Sequence, residues 1–309
     1  MDFYNTTMAI TPGTSFGLCT KSSSYVDLNG EKKALYDAAQ QYFEQVLLLD
    51  PQNVCYYFER GATRPRLIHQ GRDIADLTVL MIRSTGSRVA SSAMLAHTLA
   101  FCGCNIVDPL ERFSVGYASK LLTTISRFER GVGSNSYIAF GAANADILVQ
   151  TLNISAENPI LFKPVAGRKG EGVVSFHTLD AARSFIQETA AVYTDSDTPY
   201  LFQTLEQFVA EYRVMVMNGD ILGMVQKIRA EGTITANAAQ GGTFVAVDVP
   251  EITDFVHQYI SHEGLIGADI AVDDEGAIHI IETNRAPMWG AFEATTGVRV
   301  GEEVVRRVV

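Results

Sequence analysis

Two stretches decide how this chain is read: Gly267-Ala-Asp-Ile270 and Ala277-Ile-His-Ile-Ile-Glu-Thr-Asn284. Both are apolar and β-prone, and Val272-Asp-Asp-Glu-Gly276 between them reads as a turn, so the pattern predicts a hairpin. Side chains alternate along a strand, so Glu282 and Asn284 share a face, and Asp269 on the partner strand comes within their reach. Two carboxylates and an amide oxygen are hard donors of the kind that hold Mg²⁺ against phosphates. For such a trio alone, a solvated strand face is the plainer reading. Here Ile270, Ile280 and Ile281 flank the trio, and an unpaired charge among apolar side chains is costly. A metal or cationic partners would remove that cost.

Working outward, the chain has 309 residues, 47% of them apolar and 19% charged, enough for a full core and two or three lobes. A net charge of −11 argues against non-specific nucleic-acid binding, but not against a nucleotide, whose site depends on local cations. No run of apolar residues is long enough to span a membrane, and the N-terminus lacks the basic and apolar regions of a secretory signal. Cys19, Cys55, Cys102 and Cys104 show no zinc spacing and read as reduced thiols of a cytoplasmic protein.

Residues 1–29 read as irregular or weakly β, and 31–49 as one amphipathic helix carrying Leu35, Ala38, Ala39, Phe43, Val46 and Leu47 on one side. Strands at 54–58, 77–82 and 105–107 around a helix at 88–102 give a βαβ-like rhythm and predict a small parallel sheet. A helix at 119–130, strands at 147–152 and 160–163, and a helix at 179–192 capped by Thr178 follow. Next come strands at 200–205, 212–217 and 221–228, the last two joined by Asn218-Gly219-Asp220, then a helix at 252–263, the hairpin, and a terminal helix from about Gly301.

Several motifs carry chemistry. Lys163 ends an apolar strand and precedes Val-Ala-Gly-Arg-Lys-Gly-Glu-Gly, in which Gly167, Gly170 and Gly172 let backbone N–H groups approach a phosphate beside Arg168 and Lys169. It is neither a Walker A loop nor a dinucleotide fingerprint; taken alone, it reads as a flexible surface hairpin. Glu206, Gln207, Phe208 and Val209 form a passage whose backbone suits an adenine edge, and Glu211 suits ribose hydroxyls. Arg213, two residues on, reads as an ion-pair partner of Glu211. Lys227 and Arg229 share a strand face ahead of Asn237, Gly241 and Gly242, and suit a clamp on transferring phosphate and an acyl oxyanion. No nucleophile–base pair stands out, and the six histidines do not cluster.

Taken in order, Tyr-Ala-Ser-Lys-Leu-Leu around Lys120, the Lys163 segment, the Glu206 segment, the Lys227 segment, Gly-Ala-Asp-Ile, Ile-Ile-Glu-Thr-Asn-Arg-Ala-Pro and Ala-Thr-Thr-Gly-Val resemble the ATP-grasp ligases, and among them the RimK-like α-glutamate ligase branch, across residues 77–309. The resemblance implies an α/β (α+β) ATP-grasp fold of three lobes: an N-terminal lobe at 1–112, a central lobe with a glycine-rich lid at 113–204, and a C-terminal lobe with the metal site at 205–309. ATP would lie between the last two. Lys120 and Lys163 would contact ATP; Gly167, Arg168, Lys169, Gly170 and Gly172 would form the lid. Glu206, Gln207, Phe208 and Val209 would be the adenine hinge, and Glu211 the ribose ligand. Asp269, Glu282 and Asn284 would hold two Mg²⁺, with Mn²⁺ able to substitute. Lys227, Arg229, Arg213 and Asn237 would face the phosphates.

The implied reaction joins a carboxylate to an amine through an acyl phosphate, releasing ADP and phosphate. The expected partners are amino-acid or peptide substrates in a dimer or tetramer, with neither nucleic acid nor membrane. The competing readings are a kinase on the same scaffold that phosphorylates a hydroxyl, and a non-catalytic nucleotide binder. The chain departs from the branch in its short hinge, in its first 70 residues and in Arg285-Ala-Pro-Met-Trp-Gly290, where Arg285 and Trp289 are candidates for shaping a substrate pocket. The polar loop Arg83-Ser-Thr-Gly-Ser-Arg88 is a second substrate-side candidate, beside the plainer reading of a βα turn.

Overall fold

The computed structural model describes residues 11–83, 85, 88–110, 119–165, 172–193, 198–228, 243–260 and 262–309. Three larger sheets and one small one organise them. The first has the order β2-β1-β6-β7, from β1 (Thr11–Cys19), β2 (Phe43–Leu49), β6 (Val79–Ile82) and β7 (Asn105–Ile106), all paired in parallel. A small antiparallel sheet of β3 (Val54–Tyr57), β4 (Arg66–His69) and β5 (Arg72–Asp73) sits within the same stretch. A parallel sheet is therefore present, but the strand expected in it at 54–58 belongs to the antiparallel sheet, and two of its actual strands, β1 and β2, were misread.

The segment from Thr11 to Cys19, expected to be irregular or weakly β, is a full inner strand. Its Pro, Gly, Thr and Ser content hides a strand whose Phe16, Leu18 and Cys19 are fully buried between two neighbours. The single helix expected over 31–49 is a helix and a strand. Helix α1 (Gly30–Ala39), capped by the Asn29 side chain, ends at Gln40, and Phe43 to Leu49 pairs in parallel with β1, residue for residue from Gln45 to Leu49. The run Val46-Leu-Leu-Leu49 satisfies helical and strand periods alike, and pairing with β1 decides between them. Helix α2 (Val89–Phe101) packs on this sheet as expected.

Helix α3 (Ser119–Arg130) leads into the second sheet, of order β10-β9-β11-β8, formed by β8 (Ser136–Ala139), β9 (Ile160–Phe162), β10 (Val174–Phe176) and β11 (Tyr200–Thr204), all antiparallel. Helix α4 (Ala142–Thr151) occupies 147–152, where a strand was expected. Its Ala145 and Val149, four residues apart, pack beside α5 (Leu179–Tyr193) over an aromatic core of Phe162, Phe176, Tyr200 and Phe202, while Ile147 is exposed. The Thr178 hydroxyl accepts from Ala181 N–H at 3.3 Å, the predicted cap.

The third sheet, of order β14-β13-β12-β15-β16, is antiparallel throughout: β12 (Phe208–Met217), β13 (Asp220–Ile228), β14 (Thr243–Ala246), β15 (Leu265–Asp273) and β16 (Ile278–Asn284). Asn218 and Gly219, at φ 50° and 88°, form the two-residue turn that joins β12 to β13, as the Asn-Gly signal predicts. One face, with Val214, Val216, Ile266, Ala268, Ile270 and Ile280, packs on Ile252 and Val256 of α6 (Pro250–Tyr259). At one end of the other face, Met215, Met217, Val225 and Leu265 join Phe16, Leu18 and Leu35 of the N-terminal region, and Val300 and Val304 of the last helix. That core also takes in α7 (Gly290–Thr296) and α8 (Val300–Arg306), and a Cβ on Gly301 would lie 3.2 Å from the Ala34 backbone of α1. The uncovered part of this face carries the charged residues.

Candidate active site

Strand register assembles the site. Asp269 on β15 lies opposite Arg213 on β12 and opposite Glu282 on β16, Gly267 lies opposite Asn284, and Glu211 lies opposite Lys227. Directly opposed residues share a face, so Glu211, Arg213, Lys227, Asp269, Glu282 and Asn284 all project to the same side. A cross-section of four strands thus gathers residues spread over more than seventy positions of sequence.

Asp269 is the electrostatic centre. It is 6% exposed, and both of its oxygens are engaged. Arg213 reaches both oxygens through Nε and Nη2, the latter at 2.7 Å, while Lys227 Nζ lies 2.7 Å from Oδ1. Burial alone would raise the Asp269 pKa, but Arg213 and Lys227 outweigh it and hold the carboxyl down at about 2. Reciprocally, burial works against the Arg213 charge, and Asp269 more than restores it. Arg213 thus pairs with Asp269 rather than with the expected Glu211: the side chains share a face, but the register sets Asp269 directly across from Arg213.

A β-bulge resolves a conflict on β16. Ile280 and Glu282 are two apart and would share a face in a regular strand, yet Ile280 belongs to the apolar core while Glu282 belongs to the site. The register slips between Asp269 and Ile270, so Glu282 opposes Asp269 and Ile280 opposes Ile270, leaving Ile281 as the extra residue. The same slip turns His279 to the site side, opposite Ala271. His279 was missed in the sequence because its odd spacing from Glu282 places it on the other face of a regular strand. Its Nε2 lies 2.7 Å from Asp273, its Nδ1 lies 3.7 Å from Glu206, and its ring neighbours Phe208. The Asp273 carboxyl is held below its ordinary range chiefly by that His279 contact.

The expected hinge lies next to this cluster. Glu206 accepts from Ser134 at 3.0 Å and from Thr204 at 3.1 Å, which fixes its side chain, while Val209 is exposed. Gln207 and Phe208 continue into β12 beside them. Lys163 follows β9 in the second sheet, with its N–H donating to Leu201 O at 2.9 Å. Gly172, at φ 73°, would place a Cβ 2.9 Å from Pro164, so the two ends of the Lys163 loop lie together. Gly167, Arg168, Lys169 and Gly170 of that loop lie outside the described residues, as do Arg229 and Asn237, while Lys120 is placed only as a backbone position in the first turn of α3.

Two of the substrate-side candidates, Arg83 and Trp289, are buried. Arg83 is 2% exposed: Nη2 donates to Pro287 O at 2.8 Å, Nη1 to Arg285 O at 3.3 Å, and the guanidinium lies 4.7 Å from the centre of the Trp289 ring. Trp289 is itself 1% exposed, and its backbone N–H donates to Glu31 at 2.9 Å. Arg83 and Trp289 therefore brace the chain after Asn284 against the N-terminal sheet instead of lining a substrate pocket. A cation that deep is affordable only with such acceptors, which sequence alone does not reveal.

The residues fit Mg²⁺ that arrives with a polyphosphate. Asp269 stays ionised, Glu282 and Asn284 add a carboxylate and an amide oxygen, and all are hard donors. A bare dication beside Arg213 and Lys227 would be repelled, and phosphate oxygens between them would reverse the sign.

Comparison with known proteins gives the family and the fold. The model of the RimK-like ATP-grasp domain matches residues 130–308. The chain belongs to the RimK-like ATP-grasp family. A probable α-L-glutamate ligase of Syntrophotalea carbinolica is 23% identical over 278 residues, covering 89% of each chain. Another, from Shewanella oneidensis, is 23% identical over 272 residues and covers 82% of this chain and 83% of that protein. Among solved structures, the ATP-grasp ligase PsnB complexed with minimal precursor, Mg and ADP superposes with a TM-score of 0.68 at 13% identity, over 97% of this chain and 98% of that one. The macrocyclase MdnC of Microcystis aeruginosa, bound with its precursor peptide MdnA, gives 0.63 at 12% identity, over 96% and 99%. The fold of this RimK-like chain is the ATP-grasp fold.

Proposed function

We propose that this RimK-like protein joins a carboxylate to an amine at the expense of ATP, through an acyl phosphate, on an amino-acid or peptide substrate. The observation that carries this reading is the single sheet face on which Asp269, Glu282 and Asn284 stand beside Arg213 and Lys227. It is an ATP-dependent C–N ligase. The substrate carboxylate oxygen attacks the γ-phosphorus, and the bond to the ADP oxygen breaks. The amine nitrogen then attacks the acyl carbon, phosphate leaves with the bonding electrons, and the nitrogen loses a proton to give the amide.

Little covalent work falls to the protein. Lys227 and Arg213 are fixed cations that balance charge spreading over the transferring phosphoryl oxygens, and they need no reorganisation because Asp269 already orients them. Asp269, Glu282 and Asn284 would hold Mg²⁺, which when bound neutralises charge on the β- and γ-phosphates. Two ions, with Mn²⁺ as a substitute, are part of the proposal. Lys120 and Lys163 would contact the nucleotide, Gly167 to Gly172 would cover it, and Glu206, Gln207, Phe208, Val209 and Glu211 would receive its adenine and ribose. Arg229 and Asn237 would complete the phosphate side.

The lobe limits 1–112, 113–204 and 205–309 belong to the same reading, which is supported by each sheet falling within one of them. Among the described residues no helix is long and apolar enough to cross a membrane. A cytoplasmic setting and a dimer or tetramer complete the proposal. A peptide substrate gains support from the precursor peptides bound by PsnB and MdnC, and an amino-acid substrate from the names of the glutamate ligases.

The test is phosphate release from Mg-ATP across amino acids and short peptides, singly and in pairs, with mass spectrometry of the products. Phosphate release that needs both a carboxylate and an amine, with a product one water lighter than its two parts, is the expected result. ADP formation without phosphate, with a product heavier by one phosphoryl group, would replace the ligase with a kinase.

A further inference from the structure

The bulge on β16 turns Glu282 toward the site while Ile280 stays in the core, and among the described residues β16 is the edge strand of its sheet, with no strand beyond it. A bulge at a free edge has little of its own to hold it. Here the outer edge is covered by the end of α3 and the turn that follows. Arg127 Nη1 donates to the carbonyl of Ile281, the extra residue, at 3.0 Å. Next to it, the Ile280 N–H donates to Val132 O at 2.8 Å.

Local sequence makes this cover. Gly131, at φ 66°, ends α3 in the left-handed conformation, and Val132 N–H turns back to Arg127 O at 3.1 Å. Gly133 leaves room for the turn, since a Cβ there would lie 2.9 Å from the Arg127 Cβ. Val132 then enters the core beside Ile280. The stretch Arg127-Phe-Glu-Arg-Gly-Val-Gly133 therefore acts in place of a sixth strand over a single bulge.

From this geometry we infer that Arg127 is a positioning residue for metal–nucleotide binding: by holding the Ile281 carbonyl it keeps Glu282 opposite Asp269. The inference rests on the assignment of Glu282 to the metal. Burial opposes the charge of Arg127, and Glu282 is its principal electrostatic compensation, so the guanidinium stands close enough to sense that carboxylate. Two accounts of Arg127 then differ in sign. If it acted only as a cation beside the site, its removal would tighten metal binding, because a like charge is gone. If it positions Glu282, its removal weakens binding, as loss of an outer partner of a metal ligand does.

The experiment is Mn²⁺ titration in the presence of ADP, read by water-proton relaxation, on the full chain and three variants, with thermal melting of each. Arg127→Met keeps the apolar stem but neither donor nor charge, and roughly tenfold weaker Mn²⁺ binding is expected. Arg127→Lys, which keeps a donor and the charge, is expected to stay within about threefold of the parent and serves as the folded control. Glu282→Gln is expected to lose at least tenfold. Binding in Arg127→Met equal to or tighter than the parent, while Glu282→Gln loses affinity, would overturn the inference alone. Unchanged binding in Glu282→Gln would overturn the metal assignment, and the inference with it.

Discussion

Asp269 and Glu282 stand side by side as the proposed metal ligands, yet their loss should have different consequences for the fold. In Asp269→Asn the shape is retained and the charge removed, leaving Arg213 and Lys227, with side chains only 14% and 4% exposed, without the carboxylate both contact. Breaking a buried pair from one side costs about 3–5 kcal/mol. Lys227 keeps Glu211 opposite it and Arg213 keeps some compensation from Glu282, so the lower end, about 3 kcal/mol, applies. The titration of Asp269 gives a similar size. A carboxyl held at about 2 instead of its ordinary 3.8 favours the folded ionised state by ~2 kcal/mol, at 1.36 kcal/mol per unit. Because the folded pKa is the lower one, this stabilisation is complete above pH 4 and is lost as pH falls toward 2. Urea unfolding followed by the fluorescence of Trp289, the only tryptophan and a buried one, measures both effects. At pH 7 Asp269→Asn should lose ~3 kcal/mol and Glu282→Gln, which is half-buried, less than ~1. The gap between parent and Asp269→Asn should narrow in acid. A loss below ~1 kcal/mol for Asp269→Asn, or a gap independent of pH from 7 to 2, would refute the idea that Asp269 anchors two buried cations.

Other expectations follow from neighbouring contacts. Glu282→Gln should abolish phosphate release while leaving the melting temperature nearly unchanged; near-parental turnover at saturating Mg²⁺ would remove Glu282 from the metal. In Gly267→Ala the new Cβ would start 2.6 Å from the Pro287 Cβ, so the strain should cost about 1–3 kcal/mol and weaken Mg²⁺ dependence through the displaced neighbour of Asn284. Parental stability and Mg²⁺ dependence would show that Pro287 yields freely. Arg83→Ala should cost about 3 kcal/mol by depriving the Arg285 and Pro287 carbonyls of donors and opening space beside Trp289. A change under ~1 kcal/mol in thermal melting would mean that the junction rearranges around its loss.

The candidate site residues were legible because they lie in residue types at short range. Asp269, Glu282, Asn284, Lys227 and Glu211 were identifiable from their spacing within β-prone runs, and Asn218-Gly219 announced its turn. Where the sequence misled, two structures competed for one pattern. Residues 43–49 fit a helical stripe as well as a buried strand, and only β1 alongside them breaks the tie. Residues 147–152 look β-prone until Ala145 and Val149 are seen packed against a neighbouring helix. Arg83 and Trp289 looked like exposed substrate contacts because their acceptors lie about 200 residues away.

The sequence by itself determined which groups this RimK-like protein offers to a candidate site: hard oxygen donors, strand-borne cations and a glycine-rich loop after Lys163. Those are properties of side chains and their immediate spacing. Tertiary structure decided their pairing and their facing. Asp269 took Arg213 as its partner because antiparallel register, which no local spacing encodes, set them opposite. Glu282 faces the site while Ile280, two residues earlier, faces the core, because one extra residue in β16 reverses the alternation that a strand would otherwise impose.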